Sequence, residues 1–384
     1  MVIVHISPSS PYNNNWGYQE NLLPKYHAKL GNYVTLIITN TMHSNGMIIE
    51  TDCCDYISDD GVRIVRLKWK KHINPKVSSF VAKLDVYDLL CQIHPDYIFY
   101  HGLLSQTIFD VIRYKRKIAP QCIIVQDNHL DYNIGLKVKT FKDKLKRCYF
   151  RALNKKSKKY VKFVYGVTPW RKKYAEDYFH ISPDITDTLI MGADDDNISF
   201  ETRGEKRKFH RGIWGINEEE FVVISGGKND KNKNIIQLMQ AVKSLKSVKL
   251  IIFGSISDDI KDEFNKELSE NVRYIGWIDA SKVYDYYFAA DLIIFPGQHS
   301  VLWEQACASK VPCVFKRWEG MEHVNNGGNV DFLDDTSSKA IKNKIVELMY
   351  TDKYIAMSNI ALSKATDIYL YSSIAKKSLN DIRK

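Results

Sequence analysis

Several common signatures are missing from this chain. No run approaches the roughly 18 consecutive apolar residues a membrane span needs, so its 384 residues are not expected to cross a bilayer. The first residues, Met1-Val2-Ile3-Val4-His5-Ile6-Ser7, have no basic stretch ahead of an apolar one. They read as a strand and not as a signal peptide. Seven cysteines stand at 53, 54, 91, 122, 148, 307 and 313, with no CxxC pair and no Cys/His spacing suited to zinc. Reduced thiols and a cytoplasmic location are expected, and the Cys53-Cys54 pair is read as a loop feature. Neither GxxxxGK[ST] nor GxGxxG occurs. Low-complexity tracts and a convincing internal repeat are also lacking.

Acidic residues are scarce in one place. Between Lys137 and Lys162 the chain carries Lys137, Lys139, Lys142, Lys144, Lys146, Arg147, Arg151, Lys155, Lys156, Lys158, Lys159 and Lys162, against Asp143 alone. Phe141, Leu145, Cys148, Tyr149, Ala152, Leu153 and Tyr160 recur there at helical spacing. The pattern predicts an amphipathic helix with a cationic outer face. It fits a surface helix whose apolar stripe lies in the core, and equally one that rests on anionic lipid headgroups. The formal net charge of +10 attracts polyanions in general. No nucleic-acid-binding signature accompanies it, so nucleic acid is not expected as a partner.

The chain is 45% hydrophobic, ordinary for a folded protein, and long enough for two domains. Short β-branched runs alternate with longer helical periods. Strands are expected at Val2–Ser7, Tyr33–Thr39, Val62–Leu67, Tyr97–Tyr100, Cys122–Gln126, Phe163–Thr168 and Thr188–Met191. After a break they resume at Phe221–Ser225, Val248–Phe253, Val272–Ile275, Leu292–Phe295 and Val311–Phe315. Helices are expected between them, among others Tyr18–Leu30, Ser79–Ile93, Pro169–Phe179, Asn234–Leu245 and Val301–Ser309. Such alternation predicts an α/β protein with two doubly wound parallel sheets. The boundaries read 1–192 for the first domain, 193–217 for a linker and 218–369 for the second. A last helix, about 370–384, is expected to pack back on the first domain.

Four stretches carry candidate chemistry. Ser225-Gly226-Gly227-Lys228-Asn229-Asp230-Lys231-Asn232-Lys233-Asn234 follows a strand and leads into a helix. Glycines admit close approach, a helix start offers free N–H groups, and the lysines are point charges for phosphate oxygens. The sum suits a diphosphate; a polar turn with solvated lysines would use the same letters. Phe295-Pro296-Gly297-Gln298-His299-Ser300-Val301-Leu302-Trp303-Glu304 again joins a strand to a helix, with Ser300 a candidate cap. Glu304 lies in an otherwise apolar stretch, where a carboxylate needs a partner. It suits ribose hydroxyls, or a salt bridge. Gln126-Asp127-Asn128-His129-Leu130-Asp131-Tyr132 places a histidine and two carboxylates after a first-domain strand, suited to acid–base work or sugar hydroxyls or merely to a polar loop. Tyr100-His101-Gly102 is a lesser case of the same kind. Asn13 to Glu20 holds Gly17 before a helix, where close approach or turn chemistry explains it. Asp194-Asp195-Asp196 reads as a solvated loop, with no metal expected.

Taken in order, these pieces resemble the group 1 glycosyltransferases of the GT-B fold, often numbered family four. The resemblance covers nearly the whole chain. Tyr18 to Thr35 resembles the family's first helix and its entry into strand two. Met191-Gly192-Ala193-Asp194 resembles its "NG-V-D" turn, and Gly227-Lys228 with Lys233-Asn234 its "GR…KG" element. Gly276-Trp277, Tyr286-Tyr287 and Ala290 to Pro296 are similar to the run between base and sugar sites. Glu304-Gln305-Ala306 to Pro312 resembles "EA-x-A-x-G-x-P", and Glu319 to Asn329 the "E-x-V-x-x-G-x-N" that follows.

The resemblance implies two Rossmann-like domains facing across a cleft. It implies a retaining transfer from a nucleoside diphosphate sugar, UDP- or GDP-linked, to an acceptor hydroxyl, without a metal or other cofactor. Lys228 and Lys233 would hold the diphosphate, beside Gly227. Glu304 would bind ribose, and Gly276 would face the base. The backbone of Gly297, Gln298, His299, Ser300 and Val301 would touch the β-phosphate and donor sugar. His129 would sit by donor sugar and acceptor, and Gly17 at the phosphate end. The family often has another glutamate eight positions earlier; Pro296 stands there. Either Gln298 and His299 substitute for it, or donor recognition differs, or catalysis is impaired. A saccharide or lipid-linked saccharide acceptor of cell-surface polysaccharide or glycolipid synthesis is expected, reached from the inner membrane face. The rival reading is a non-catalytic subunit of the same fold that supports a partner transferase.

Overall fold

The computed structural model describes residues 1–14, 16–44, 47–70, 82–133 and 135–383. They form two compact units, 1–190 with 374–384, and 191–373. The first three residues of the helix expected at Ser79–Ile93 lie outside the described residues.

Unit one is built on β1 (Val2–Ser7), β2 (Tyr33–Thr39), the hairpin β3 (Thr41–Ser44) and β4 (Met47–Glu50), β5 (Cys54–Ile57), β6 (Arg63–Leu67), β7 (Tyr97–Tyr100), β8 (Ile123–Asn128), β9 (Phe163–Gly166) and β10 (Thr186–Thr188). Eight strands form one sheet in the order β10-β9-β8-β7-β1-β2-β6-β5. Every pairing in it is parallel except β5 with β6. The central strands are mainly apolar because helices cover both faces: Ile3, Val4, Ile6, Ile98, Phe99 and Ile124 are fully buried. The covering helices include α1 (Gln19–Lys29), α2 (Tyr87–Ile93), α3 (Ile108–Lys117), α4 (Phe141–Ser157) and α5 (Pro169–Phe179). Strand order reverses between β1 and β7, so the loops after β1, β7 and β8 gather at the sheet's switch point, where open α/β sheets bind ligands.

Helix α4 departs from its bland expectation. Phe150, Leu153, Asn154 and Ser157 face the core. Phe141, Leu145, Cys148 and Ala152, at spacings of four and three, share the opposite face, and all four are exposed. Phe141 is 75% exposed and Leu145 53%. The expected single stripe is two stripes, one of them turned outward. Asp143, the one acid of the stretch, closes a capping box with Thr140 at the helix start.

Unit two begins at Met191, earlier than expected. Asp194 is buried; its carboxylate accepts from Asp196 N at 3.2 Å, and Asp195 accepts from Ser372 N at 3.1 Å. These carboxylates hold the turn together, which corrects the reading of a solvated loop. The stretch expected as a linker, 193–217, contains α6 (Arg203–Trp214). Its fully buried Arg211 donates to Asp291 Oδ2 at 2.5 Å, and Arg207 donates to Asp291 Oδ1 at 2.7 Å. Asp291 Oδ2 also accepts from Val222 N, so a buried charge network ties α6 to the second sheet.

That sheet contains β11 (Phe221–Asn229), β12 (Val248–Ile256), β13 (Val272–Tyr274), β14 (Leu292–Phe295), β15 (Cys313–Lys316) and β16 (Val330–Leu333). The order is β13-β12-β11-β14-β15-β16, all parallel. Strand β16 and the helix over Asp352–Leu362 are not among the expected elements. The helices are α7 (Ile235–Lys243), α8 (Lys261–Glu267), α9 (Val283–Tyr287), α10 (Leu302–Ala308), α11 (Ser338–Leu348) and α12 (Asp352–Leu362). A last helix, α13 (Tyr371–Asp381), follows, and from Ile374 onward its residues belong to unit one. There Asp381 accepts from Tyr165 Oη at 3.0 Å, and Lys377 pairs with Asp187.

Candidate functional site

In unit two the strand order reverses between β11 and β14, so their C-terminal ends flank the switch point. Strand β11 is longer than expected. Gly226, Gly227, Lys228 and Asn229 are still paired to β12, opposite Phe253, Gly254, Ser255 and Ile256. The glycines are there for proximity: a Cβ on Gly254, at φ +101°, would lie 2.0 Å from the Gly227 carbonyl oxygen. Gly254 N in turn donates to the Gly276 carbonyl at 2.8 Å. Gly227, Gly254 and Gly276 therefore stand side by side at the strand ends.

After β14 the chain turns through Pro296 and Gly297. Gly297 packs against the 230–234 turn so closely that a Cβ would meet Lys233 Cα at 2.3 Å. Gln298 N donates to Asn232 O at 2.9 Å, and Asn234 Nδ2 donates to Pro296 O at 2.8 Å. A small pocket opens here, lined by Ser225, Gly226, Lys233, Gly297, Gln298 and Ser300 among others. Its lining also includes the fully buried Trp303, stacked on Phe315 with ring centroids 4.5 Å apart. Lys233 Nζ donates to the Gln298 carbonyl at 2.6 Å, and burial lowers the lysine's pKa.

Glu304 lies in the first turn of α10 and is fully buried. Its Oε1 accepts from His299 Nε2 at 2.9 Å and from His323 Nε2 at 2.8 Å. Burial alone would raise this carboxyl; the charges and hydrogen bonds of the two histidines outweigh it and push the value down to about 2. Oε2 has no hydrogen-bond partner among the described residues. A buried ionised oxygen without a partner is costly, and it is the natural acceptor for a ligand hydroxyl. The Tyr369 hydroxyl donates to the His323 carbonyl at 2.8 Å and steadies that side.

Of the expected donor-site residues, the fold gathers Lys233, Gly297, Gln298 and Ser300 at one pocket. Gly227 lies alongside, its α-carbon facing Leu302, and His299 and Glu304 join in one cluster. Val301 is the N-cap residue of α10, with no side-chain cap, so Ser300 is not the cap expected of it. Lys228 is an exposed residue of a strand, opposite Ser255, and does not line the pocket. His323 carried no separate signal: it lies 19 residues beyond its partner, and only the fold joins them.

In unit one, His129 Nε2 lies 3.3 Å from Asp127 Oδ2. The same oxygen is 2.8 Å from His101 Nδ1, and Gly102 N donates to Oδ1 at 2.8 Å. Asp127 is fully buried. Its carboxyl is favoured as the neutral form by burial, but the charges and hydrogen bonds of His129 and His101 win and lower it. Burial pulls His129 the other way; the Asp127 charge and hydrogen bond outweigh that and raise it. Gly17 is exposed, with open space where a Cβ would go. Both His101/Asp127/His129 and His299/Glu304/His323 bring ligand-type atoms within 4.8 Å of one another. In each, one carboxylate oxygen shared by two imidazole nitrogens accounts for the cluster by hydrogen bonding.

The comparisons with known proteins agree on the class. Residues 206–360 match the family model for glycosyl transferases group 1. HepE of Anabaena, solved in complex with UDP, is similar at 15% identity and TM-score 0.64, over 100% of both chains. WaaG, a glycosyltransferase involved in lipopolysaccharide biosynthesis, is similar at 15% identity and TM-score 0.63, over 98% of both chains. Residues 206–360 are thus similar to group 1 glycosyl transferases, and the chain has the GT-B fold of these solved neighbours. An uncharacterized 41.2 kDa protein in the cps region of Klebsiella pneumoniae is 26% identical over 141 residues, which span 35% of this chain and 37% of that relative's length.

Proposed function

We propose that the chain is a retaining glycosyltransferase that moves a sugar from a nucleoside diphosphate sugar to an acceptor hydroxyl. The observation that carries this is Glu304: an ionised, fully buried carboxylate with one oxygen held by two histidines and the other unpartnered. Such an oxygen suits a ribose hydroxyl. Lys233 and the Gly297–Ser300 turn would take the diphosphate, with Gly227, Gly254 and Gly276 leaving room beside it. A fixed cation and preorganised amides stabilise a leaving diphosphate without a metal, and a leaving phosphate oxygen can take the acceptor proton. HepE is solved with UDP, which favours a uridine donor here.

Helix α4 supports the membrane-facing part of the reading. Its outward stripe of Phe141, Leu145, Cys148 and Ala152 is flanked by Lys142 and Lys156 on one side and by Lys144, Arg151 and Lys155 on the other, at 100° per residue. Val138, just before the helix, is exposed too. Apolar residues that dip below lysines that stay at headgroup level suit an anionic lipid surface. No helix among the described residues is long and apolar enough to cross a membrane. The acceptor is then a lipid-linked saccharide of surface polysaccharide or glycolipid assembly, worked on at the inner face.

Pro296 in the place of a glutamate is what favours the alternative, a non-catalytic subunit. Thermal shift with UDP-, GDP- and ADP-sugars, beside release of the nucleoside diphosphate, tests both. Stabilisation and release with one base, both lost in Glu304→Ala, are expected. Stabilisation by none of them would leave the subunit reading.

A further inference from the structure

A line of imidazoles runs behind Asp127. Ser378 Oγ on α13 lies 2.8 Å from His27 Nε2 on α1. His27 Nδ1 lies 2.9 Å from His5 Nε2 on β1. His5 Nδ1 lies 3.2 Å from His101 Nε2, just past β7, and His101 Nδ1 lies 2.8 Å from Asp127 Oδ2 at the end of β8. His5 and His27 are fully buried and His101 nearly so. A surplus of three imidazoles in a core that would accept leucine is not explained by packing.

Hydrogen-bond counting fixes their state. An ionised carboxylate only accepts, so His101 carries its proton on Nδ1. With no excess proton in the line, His101 Nε2 accepts from His5 Nδ1, His5 Nε2 accepts from His27 Nδ1, and His27 Nε2 accepts from the Ser378 hydroxyl. Each ring nitrogen then has a partner, with the polarity set by the Asp127 charge; Ser378 Oγ also lies 2.9 Å from the Ala375 carbonyl, and giving its one proton to His27 gives up that bond. Burial holds both His5 and His27 well below their ordinary values, so they stay neutral. The opposite polarity needs one more proton, with His101 an imidazolium and the last N–H turned towards Ser378.

We propose that His101, backed by His5 and His27, is a positioning residue: the line holds Asp127 in one orientation, and through it fixes the ring of His129. Asp127 Oδ1 is taken by Gly102 N and one side of Oδ2 by His101, which leaves a single direction for His129 Nε2. His129 is also faced by Glu20 from α1 and Arg171 from α5, of opposite sign. Asp127 is therefore the group that decides its orientation. The inference rests on the proposed sugar transfer and on the place by donor sugar and acceptor that the family resemblance implies for His129, and its test needs neither donor nor turnover.

The experiment is histidine-selective nitrogen labelling of the full chain, with long-range proton–nitrogen spectra across neutral pH, resonances being assigned through His5→Phe, His27→Phe, His101→Leu and His129→Asn. The wild-type result expected is that His5 and His27 do not titrate, that both and His101 are protonated on Nδ1, and that His129 titrates above its ordinary value. In His101→Leu the His129 midpoint is expected to fall by about one pH unit as Asp127 turns away. In His101→Asn, whose amide can stand where Nδ1 stands, it is expected to hold. Nε2 protonation or charge on His5 or His27 overturns the proposal. So does an unchanged His129 midpoint in His101→Leu, or an equal fall in both His101 variants, since that reads lost packing and not a lost hydrogen bond.

Discussion

His323 Nε2 and Glu304 Oε1 meet at 2.8 Å, across 19 residues of chain, inside the second sheet's switch-point cluster. With His299 they keep charged a carboxyl that burial would otherwise neutralise. The carboxyl moves from an ordinary 4.5 to about 2. A depressed carboxyl adds stability that is full above its unfolded value and is lost as pH falls through its folded one. The window is therefore 4.5 down to about 2, and the amount is on the order of 3 kcal/mol. Urea midpoints taken between about pH 5 and about pH 2.5 should fall less steeply for Glu304→Gln than for the wild type. Equal slopes would mean that the pair does not hold the carboxylate in solution.

His323→Leu removes one partner and leaves the buried charge. Breaking a buried pair from one side costs about 3–5 kcal/mol; here His299 remains, so about 2 kcal/mol is the expected loss. The ligand readout should be larger. With one of its two holds gone the carboxylate is less tightly oriented, and stabilisation by the cognate nucleotide should shrink several-fold in thermal shift. A His323→Leu protein that binds nucleotide as tightly as the wild type would restrict the ribose role to contacts that ignore carboxylate orientation.

The architecture was legible from periodicity: strands such as Val2–Ser7, Tyr33–Thr39 and Leu292–Phe295 are mainly apolar, short and bounded by turn residues, and each pairs in parallel within its own sheet, as the alternation predicts. Lys233, Gly297 and Glu304 were legible for another reason, since each sits at a strand–helix junction, where a glycine, a cation or a lone carboxylate stands out locally. What escaped were properties of contact. Lys228 is expected to hold phosphate by its letters; that β11 runs on through Gly226–Asn229 and places it at an exposed strand position was not legible. Arg211 looks like part of a charged linker until Asp291, 80 residues on, closes on it. His5 and His27 are single histidines in apolar or helical stretches, with nothing in their spacing to join them.

The glycines separate close packing from mere flexibility. Gly254→Ala would place a Cβ 2.0 Å from a carbonyl oxygen at φ +101°. Neither strand can move without losing ladder bonds, so a loss of about 3 kcal/mol or more is expected. Gly276, at φ +78°, has open space around a Cβ, and Gly276→Ala should cost only the backbone strain, about 1 kcal/mol. Gly17→Ala, with neither problem, should be neutral in stability. Chemical denaturation of the three variants checks the order, and a Gly276→Ala as damaging as Gly254→Ala would contradict it.

The two lysines offer the sharpest contrast at the donor pocket. Lys233 Nζ is bound to the Gln298 carbonyl and lines the pocket, whereas Lys228 points from an exposed strand position. Lys233→Ala removes the cation and frees the turn that carries Gly297 to Ser300. Thermal stabilisation by the cognate nucleoside diphosphate should drop at least about tenfold in apparent affinity, near the worth of a charge-assisted hydrogen bond. Lys228→Ala should lose about threefold or less, the worth of a solvated charge. The reverse order would mean that β11 shifts when nucleotide binds and brings Lys228 inward.

Helix α4 can be tested apart from the chemistry. Phe141 and Leu145 are exposed and opposite the buried face of Phe150 and Leu153, so Phe141→Glu with Leu145→Glu should leave the melting temperature within about 2 °C, as surface changes do. The same pair should abolish most flotation with vesicles rich in phosphatidylglycerol, because the apolar insertion is lost and two repelling charges are gained. Reversing Lys144 and Lys155 to glutamate should weaken flotation as well, and make what remains less sensitive to salt. Retained, salt-insensitive binding by the Phe141/Leu145 variant would move the lipid contact to another surface. Binding by neither the wild type nor the variants would leave the outward stripe to a protein partner.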